Sequence, residues 1–200
     1  MTPPDAHPAT RARLLDAGAR LMARHGYAGT TVRELATEAG LTTGAIYAQF
    51  PGGKEELFRA ILTAVGERVQ AFVADALIGA DDPVDLMVRQ AGALWDFFAA
   101  HPSYAALVVR ENVAGALGDP SPFVAQNAES IRQLRALFDQ AIAEGLMAPV
   151  NVSYVLFWVV SATMNFHGCG PLRETLWRTA DLASARADFL ASLRRTLTPG

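Results

Sequence analysis

From Thr10 onward, apolar side chains recur at helical spacing through most of the chain. Leu14, Leu15, Gly18, Leu21 and Met22 share one face of a first predicted helix, and Arg11, Arg13, Arg20 and Arg24 stay off it. Those arginines read as a solvated face or, for the ones nearest the helix start, as phosphate contacts. Gly26 suits the position that closes this helix, and Tyr27 can pack back against it. Residues 1–9, with three prolines and a lone His7, are expected to form a mobile arm. The next signal is sharper. Thr31 followed by Glu34 is a capping box, so a helix should begin at Val32, set Val32, Leu35, Ala36 and Ala39 along one face, and stop at Gly40. Thr42 can cap a further short helix in which Ala45, Ile46 and Phe50 face inward. Thr43, Gly44, Tyr47 and Ala48 are left facing out.

Pro51-Gly52-Gly53 breaks that pattern, and a long helix is predicted from Lys54 to about Gly79 with Leu57, Ile61, Leu62, Val65, Val69, Phe72, Val73 and Leu77 as its apolar set. Its length suits a rod that carries movement from one bundle to another. Asp81-Asp82-Pro83 opens a helix over Val84 to Ala100, and His101-Pro102 ends it. A segment from Ser103 to Leu117 follows, then a loop through Gly118-Asp119-Pro120-Ser121-Pro122. Phe123 to Glu144 is amphipathic, with Ile131, Leu134, Leu137, Phe138 and Ile142 predicted inward. Val152 to Phe166 is apolar nearly all round, so it is either central to a bundle or covered by a second subunit. After a glycine-rich break, a last helix from roughly Thr179 to Leu197 carries Leu182, Ala185, Phe189, Leu190, Leu193 and Leu197. The whole reads as all-α, divided at residues 1–58 and 59–200. Excess apolar surface on the last two long helices suggests a homodimer built as an intermolecular four-helix bundle.

Thr31 to Phe50 therefore reads as two short helices around a glycine corner, a helix-turn-helix. Small residues at the start of the second helix permit close approach to a major groove, where hydroxyls and amides meet phosphates or base edges. Paired capped helices also occur as plain structure. The run HGYAGTTVRELATEAGLTTGAIYAQFPGGKEEL resembles the N-terminal signature of the TetR family of transcriptional regulators, over about the first quarter of the chain. The resemblance implies an N-terminal three-helix DNA-binding domain and a C-terminal helical domain for ligand binding and dimerisation. It places Arg33 near the groove, makes Thr42, Thr43, Gly44 and Tyr47 the recognition surface, and gives Lys54 a backbone phosphate. The chain departs from the family pattern at Thr43, where Lys is frequent, and at Gln49, where His is frequent, so the recognition helix has no formal charge. Arg33, Lys54 and the basic N-terminal segment must then supply most of the attraction to phosphate. A two-fold dimer would present two such helices to half-sites about 34–36 Å apart on a palindromic operator.

Composition changes this picture little. The 200 residues are 51% hydrophobic, enough for a core, and carry a formal net charge of −3, so no global basic field points to nucleic acid. Residues 1–60 hold seven basic against six acidic side chains, and the remainder ten against fourteen. Cys169 is the only cysteine, which excludes an intrachain disulfide and fits a reducing cytoplasm. No stretch reaches the roughly 18 continuous apolar residues of a membrane span. Scattered histidines argue against a metal, and no cofactor is expected. His167 with Cys169, or His101 with Glu111, are the pairs an enzyme would have to use; neither forms a nucleophile, base and orienting group by spacing, and no phosphate loop or nucleophile elbow occurs.

The aromatic set Trp95, Phe98, Tyr104, Phe123, Phe138, Phe157, Trp158 and Phe166 can line an apolar cavity or simply pack the core. Asn165 and His167 are polar groups on an apolar helix and need a partner, either within the core or from a ligand. Of these, Trp95, Phe98, Tyr104, Phe123, Trp158, Asn165 and His167 are the ligand-site candidates. The expectation is a repressor released from double-stranded DNA by a small lipophilic or aromatic molecule. Its rival is a helical small-molecule-binding protein that no longer reads DNA, and an enzyme ranks third.

Overall fold

The computed structural model describes residues 6–117, 121–176 and 182–200. Among them are ten α-helices: α1 Ala6–His25, α2 Val32–Ala39, α3 Thr43–Gln49, α4 Gly53–Leu77, α5 Pro83–Ala100, α6 Pro102–Ala114, α7 Pro122–Ala143, α8 Val152–Gly168, α9 Gly170–Leu176 and α10 Leu182–Leu197. None is long and apolar enough to cross a membrane.

Local chemistry sets most of the boundaries. Glu34 N donates to Thr31 Oγ1 at 3.2 Å while Thr31 N donates to Glu34 Oε2 at 2.8 Å, which completes the capping box of α2. The Thr31 hydroxyl also donates to Glu34 Oε2 at 2.7 Å, and this bond, together with the one from Thr31 N, holds the Glu34 carboxyl below the usual carboxylate range. Gly40 ends α2 in the left-handed conformation at φ 62°. Asp82, Ser121 and Asn151 cap α5, α7 and α8 through their side chains, and proline occupies the first turn of α5 and of α7, where its missing N–H costs nothing.

The core runs the length of the molecule. Leu14, Met22, Leu35, Ile46 and Phe50 close the N-terminal bundle and meet Leu57, Phe58, Ile61 and Leu62 of α4. Further along, α4 packs between α5 and α7, α6 lies against both α1 and α8, and α10 lies along α5. The core is therefore continuous from the helix-turn-helix to the far bundle.

Four expectations need correction. The chain is already helical at Ala6, so residues 6–9 extend α1 instead of forming an arm; Pro8 is tolerated because the first turn has no acceptor for its N–H. Residues 1–5 and the His7 side chain lie outside the described residues, as do 118–120 of the expected loop and the expected start of the last helix at Thr179. Ile131 and Leu137 of α7 are 42% and 45% exposed, because that flank of α7 borders an open cavity. Between α8 and α10 the chain forms α9, which has no buried residue and whose seven residues are too few to show a period. Finally, three of the four arginines of α1 are engaged with α2 as well as exposed to solvent. Arg13 donates to Ala39 O at 2.7 Å, and Arg20 and Arg24 both reach Glu38, so α1 grips the far end of α2.

Candidate nucleic-acid interface and internal cavities

The helix-turn-helix presents the outward face that its spacing implies. Ile46 and Phe50 are buried, Ala45 and Gln49 half-buried, and Thr43, Gly44, Tyr47 and Ala48 exposed. Thr42 Oγ1 accepts from Ala45 N at 3.2 Å, which orients the hydroxyl and leaves its O–H to donate. A Cβ added at Gly44 would meet only Thr42 Oγ1, at 3.7 Å, so packing does not require glycine there. Close approach to a ligand does give a reason for it. Tyr47 is 51% exposed and its ring leans over the α3–α4 turn: a Cβ on Gly53, where φ is +66°, would lie 3.1 Å from Tyr47 Cε1.

The cations around this face are not equivalent. Arg33 is exposed on α2, and its guanidinium makes no hydrogen bond or ion pair with the described residues. Arg11 lies over the Phe50 ring at 4.9 Å. Lys54 is committed inward: Nζ donates to Tyr27 O and to Thr30 O, each at 2.9 Å, and sits 4.2 Å from the centre of the Tyr27 ring. An ammonium has three N–H donors, so one remains for a phosphate. Tyr27 in turn stacks on Phe58 at 5.0 Å, so Lys54 ties the turn before α2 to the start of α4. Lys54→Met is expected to lose about 1.5–3 kcal/mol of folding stability, the range for a hydrogen bond to a charged group. A fall in the urea midpoint at unchanged m-value would report it.

The seven candidate ligand residues do not converge on one place. Phe98 is fully buried in the core. Tyr104 is buried too, and its hydroxyl donates to Asp16 Oδ1 at 3.0 Å while accepting from Arg68 Nη1, which also pairs with Asp16 at 3.2 Å. This knot joins α6, α1 and α4, and nothing in the local pattern of any one helix announces it. Trp95, Trp158 and Asn165 line a cavity of about 420 Å³ between α5, α8, α9 and α10, with Phe166, Phe189 and Leu172. His167 borders neither cavity; it is wedged edge-on against Trp95, with ring centres 4.8 Å apart, and its Nε2 has no partner among the described residues.

Phe123 alone of the seven lines a second cavity, about 410 Å³ between α4, α5, α7 and α8. Val160 and Met164 border this one, while Trp158, Ala162 and Asn165 border the first, so the two lie on opposite faces of α8. The wall is made of Val69, Val73, Leu77, Leu86, Leu94, Leu134 and similar side chains, with five polar but uncharged residues: Gln70, Gln90, Asn127, Ser130 and Gln133. Sequence reasoning by aromatic content missed it because the wall is mostly aliphatic. One signal was available. Leu86, Gln90 and Leu94 fall four apart on α5, which puts an amide within an apolar ridge.

The pairs considered for catalysis are not assembled. Glu111 is buried and accepts from Leu117 N at 3.0 Å, whereas His101 is exposed at the other end of α6, against Tyr104. Cys169 Sγ contacts Asn165 Oδ1 at 3.6 Å, and His167 is packed among aromatic rings.

Comparison with known proteins agrees with this geometry. Residues 14–61 match the family model for bacterial regulatory proteins of the tetR family. Over 185 residues the chain is 23% identical to the HTH-type transcriptional repressor NicS of Pseudomonas putida, covering 90% of this chain and 87% of that protein. It is 33% identical over 76 residues to the HTH-type transcriptional regulator LmrA of Bacillus subtilis, a match to 38% of this chain and 40% of that one. The structure of the ketosteroid transcriptional regulator KstR2 of Mycobacterium tuberculosis shares the fold, with a TM-score of 0.73 at 21% identity and 95% of each chain covered.

Proposed function

The chain belongs to the tetR family of bacterial regulatory proteins, a family of DNA-binding transcriptional regulators, and from that premise we propose that it is a repressor released from a palindromic operator by a small lipophilic molecule. The observation that carries the DNA reading is the exposed face Thr43, Gly44 and Tyr47, on a helix whose opposite side is locked by Ile46 and Phe50. Arg33, the uncommitted cation beside it, supplies phosphate contact, Lys54 adds its one remaining donor, and Thr42 and Gln49 flank the surface.

Apolar surface that the single chain leaves open supports a homodimer. Tyr154 and Phe157 of α8 are 68% and 69% exposed, and Leu172 and Leu176 of α9, the helix that follows it, are also exposed. Apolar side chains of this size left at a surface mark an interface, and a two-fold axis would cover them with a second copy of the chain. Release works through α4. Its 25 residues span roughly 37 Å, at about 1.5 Å per residue, from the recognition helix to the aliphatic cavity. Ligand in that cavity favours dimers whose recognition helices are wrongly separated, and by linkage DNA weakens the ligand equally.

Selection of bound duplexes from a random pool tests the reading. A palindromic winner is expected. Tyr47→Ala should lose about 1–3 kcal/mol and relax specificity, and Arg33→Ala should lower the salt slope by about one per protomer at unchanged sequence preference. If no sequence is enriched, the uncharged recognition helix favours the second reading, a ligand-binding bundle on a scaffold that no longer reads DNA.

A further inference from the structure

The aliphatic cavity between α4, α5, α7 and α8 contains a chemical demand. Gln90 is on its wall, and Gln90 Oε1 is shut away from solvent with no hydrogen-bond partner among the described residues. The neighbouring amides are already engaged. Gln70 Nε2 donates to Gln126 O at 2.7 Å, Gln126 Nε2 donates back to Gln70 Oε1, and Asn127 Nδ2 donates to Phe123 O at 2.8 Å. A buried acceptor left unmade is costly, and no described residue donates to this one. The cavity supplies the remaining side from which a donor can come. The terminal torsion of a glutamine is broad, so the amide can turn toward an occupant at little cost.

The rest of the wall restricts what that occupant can be. No Asp, Glu, Lys, Arg or His lines the cavity. A carboxylate or ammonium drawn in beside Gln90, away from the open α7 flank, would lose hydration with no countercharge, a penalty that disfavours an ionised group there. A pure hydrocarbon would fit the aliphatic wall but leave Gln90 unsatisfied. A hydroxyl answers both conditions, since it donates to the amide oxygen and accepts from the amide nitrogen if the amide turns over.

We propose that the effector of this chain is an uncharged, largely apolar molecule bearing a hydroxyl group, and that Gln90 is the residue that selects for that hydroxyl. The proposal rests on the reading of the C-terminal bundle as an effector domain and narrows it to a ligand class.

The test uses the full-length protein and three probes of one skeleton: 2-naphthol, 2-methylnaphthalene and 2-naphthoate, each measured by equilibrium dialysis. The expected order is naphthol tighter than methylnaphthalene by about tenfold, the worth of one well-made hydrogen bond to a buried group, with naphthoate weakest. Gln90→Leu should bring naphthol down to the level of methylnaphthalene while leaving methylnaphthalene unchanged or tighter. Because the readout is a ratio within one variant, a general loss of folded protein cancels. Naphthoate binding as well as naphthol, a ratio untouched by Gln90→Leu, or no binding of naphthol to the unsubstituted protein would each overturn the proposal. Operator affinity in the same solutions asks the separate question: naphthol that binds through Gln90 yet leaves DNA affinity unchanged refutes the release mechanism and leaves the ligand chemistry standing.

Discussion

Gly168→Ala is expected to destabilise the fold by about 3 kcal/mol, at the top of the usual range for an overfilled interior. The cause is the closeness of α8 to α6. A Cβ at Gly168 would lie 2.8 Å from Ala106 N, 2.9 Å from the Ala105 carbonyl carbon and 3.1 Å from its oxygen. These are backbone atoms, so no side-chain rotation relieves the overlap and the two helices must move apart. Contrast Gly18, where the added atom would meet the end of the Ile61 side chain, which can turn. Gly170 is the control: it has nothing within 4 Å of a built Cβ and its φ is not positive, so Gly170→Ala should stay within about 0.5 kcal/mol, as for an unconstrained surface site. Urea unfolding of the two variants side by side decides the matter. Equal stability would mean that α6 and α8 are not pressed together as the structure has them.

The residue before it gives the second large effect. Burial among Trp95 and Phe166 lowers the pKa of His167 to about 4, helped by the charge of Arg173 and opposed by that of Asp96. The unfolded chain takes up this proton near pH 6.5, whereas the folded chain takes it up only near 4. Between those values the unfolded state binds more protons, so stability rises with pH across the window and is lost as pH falls through it. At about 1.4 kcal/mol per pH unit the loss reaches about 3 kcal/mol when the folded-state imidazole finally charges. His167→Leu removes this proton. Its stability is therefore expected to fall less steeply than that of the unsubstituted protein between pH 6.5 and 4, and parallel curves would show that the imidazole is hydrated in the folded state.

These neighbours illustrate what could and could not be read from the chain. His167 stood out as a polar group on an apolar helix, but its surroundings come from α5 and its own neighbour Phe166, and it borders neither cavity. Gly168 looked like part of a glycine-rich break, although it is the point where α6 and α8 come closest among the glycines described. The candidates chosen by aromatic character divided between the core, the Tyr104–Asp16–Arg68 knot and two separate cavities. Gln90 carries no such mark in the sequence, because an amide between Leu86 and Leu94 points to a ligand site only once the neighbouring helices close a cavity beside it.

By itself the sequence determined α2, the corner at Gly40 and the outward face of α3. Each depends on interactions within about four residues: the Thr31–Glu34 reciprocal pair, the left-handed Gly40, and the inward spacing of Ala45, Ile46 and Phe50. Only the tertiary structure decided the work of the cations and the position of the cavities. Arg13 reaches Ala39 across 26 residues and Lys54 reaches Tyr27 across 27, and the aliphatic cavity takes its walls from four helices. Such contacts depend on how helices cross, which hydrophobic periodicity leaves open: the period says which face of a helix is buried, but not which other face it meets.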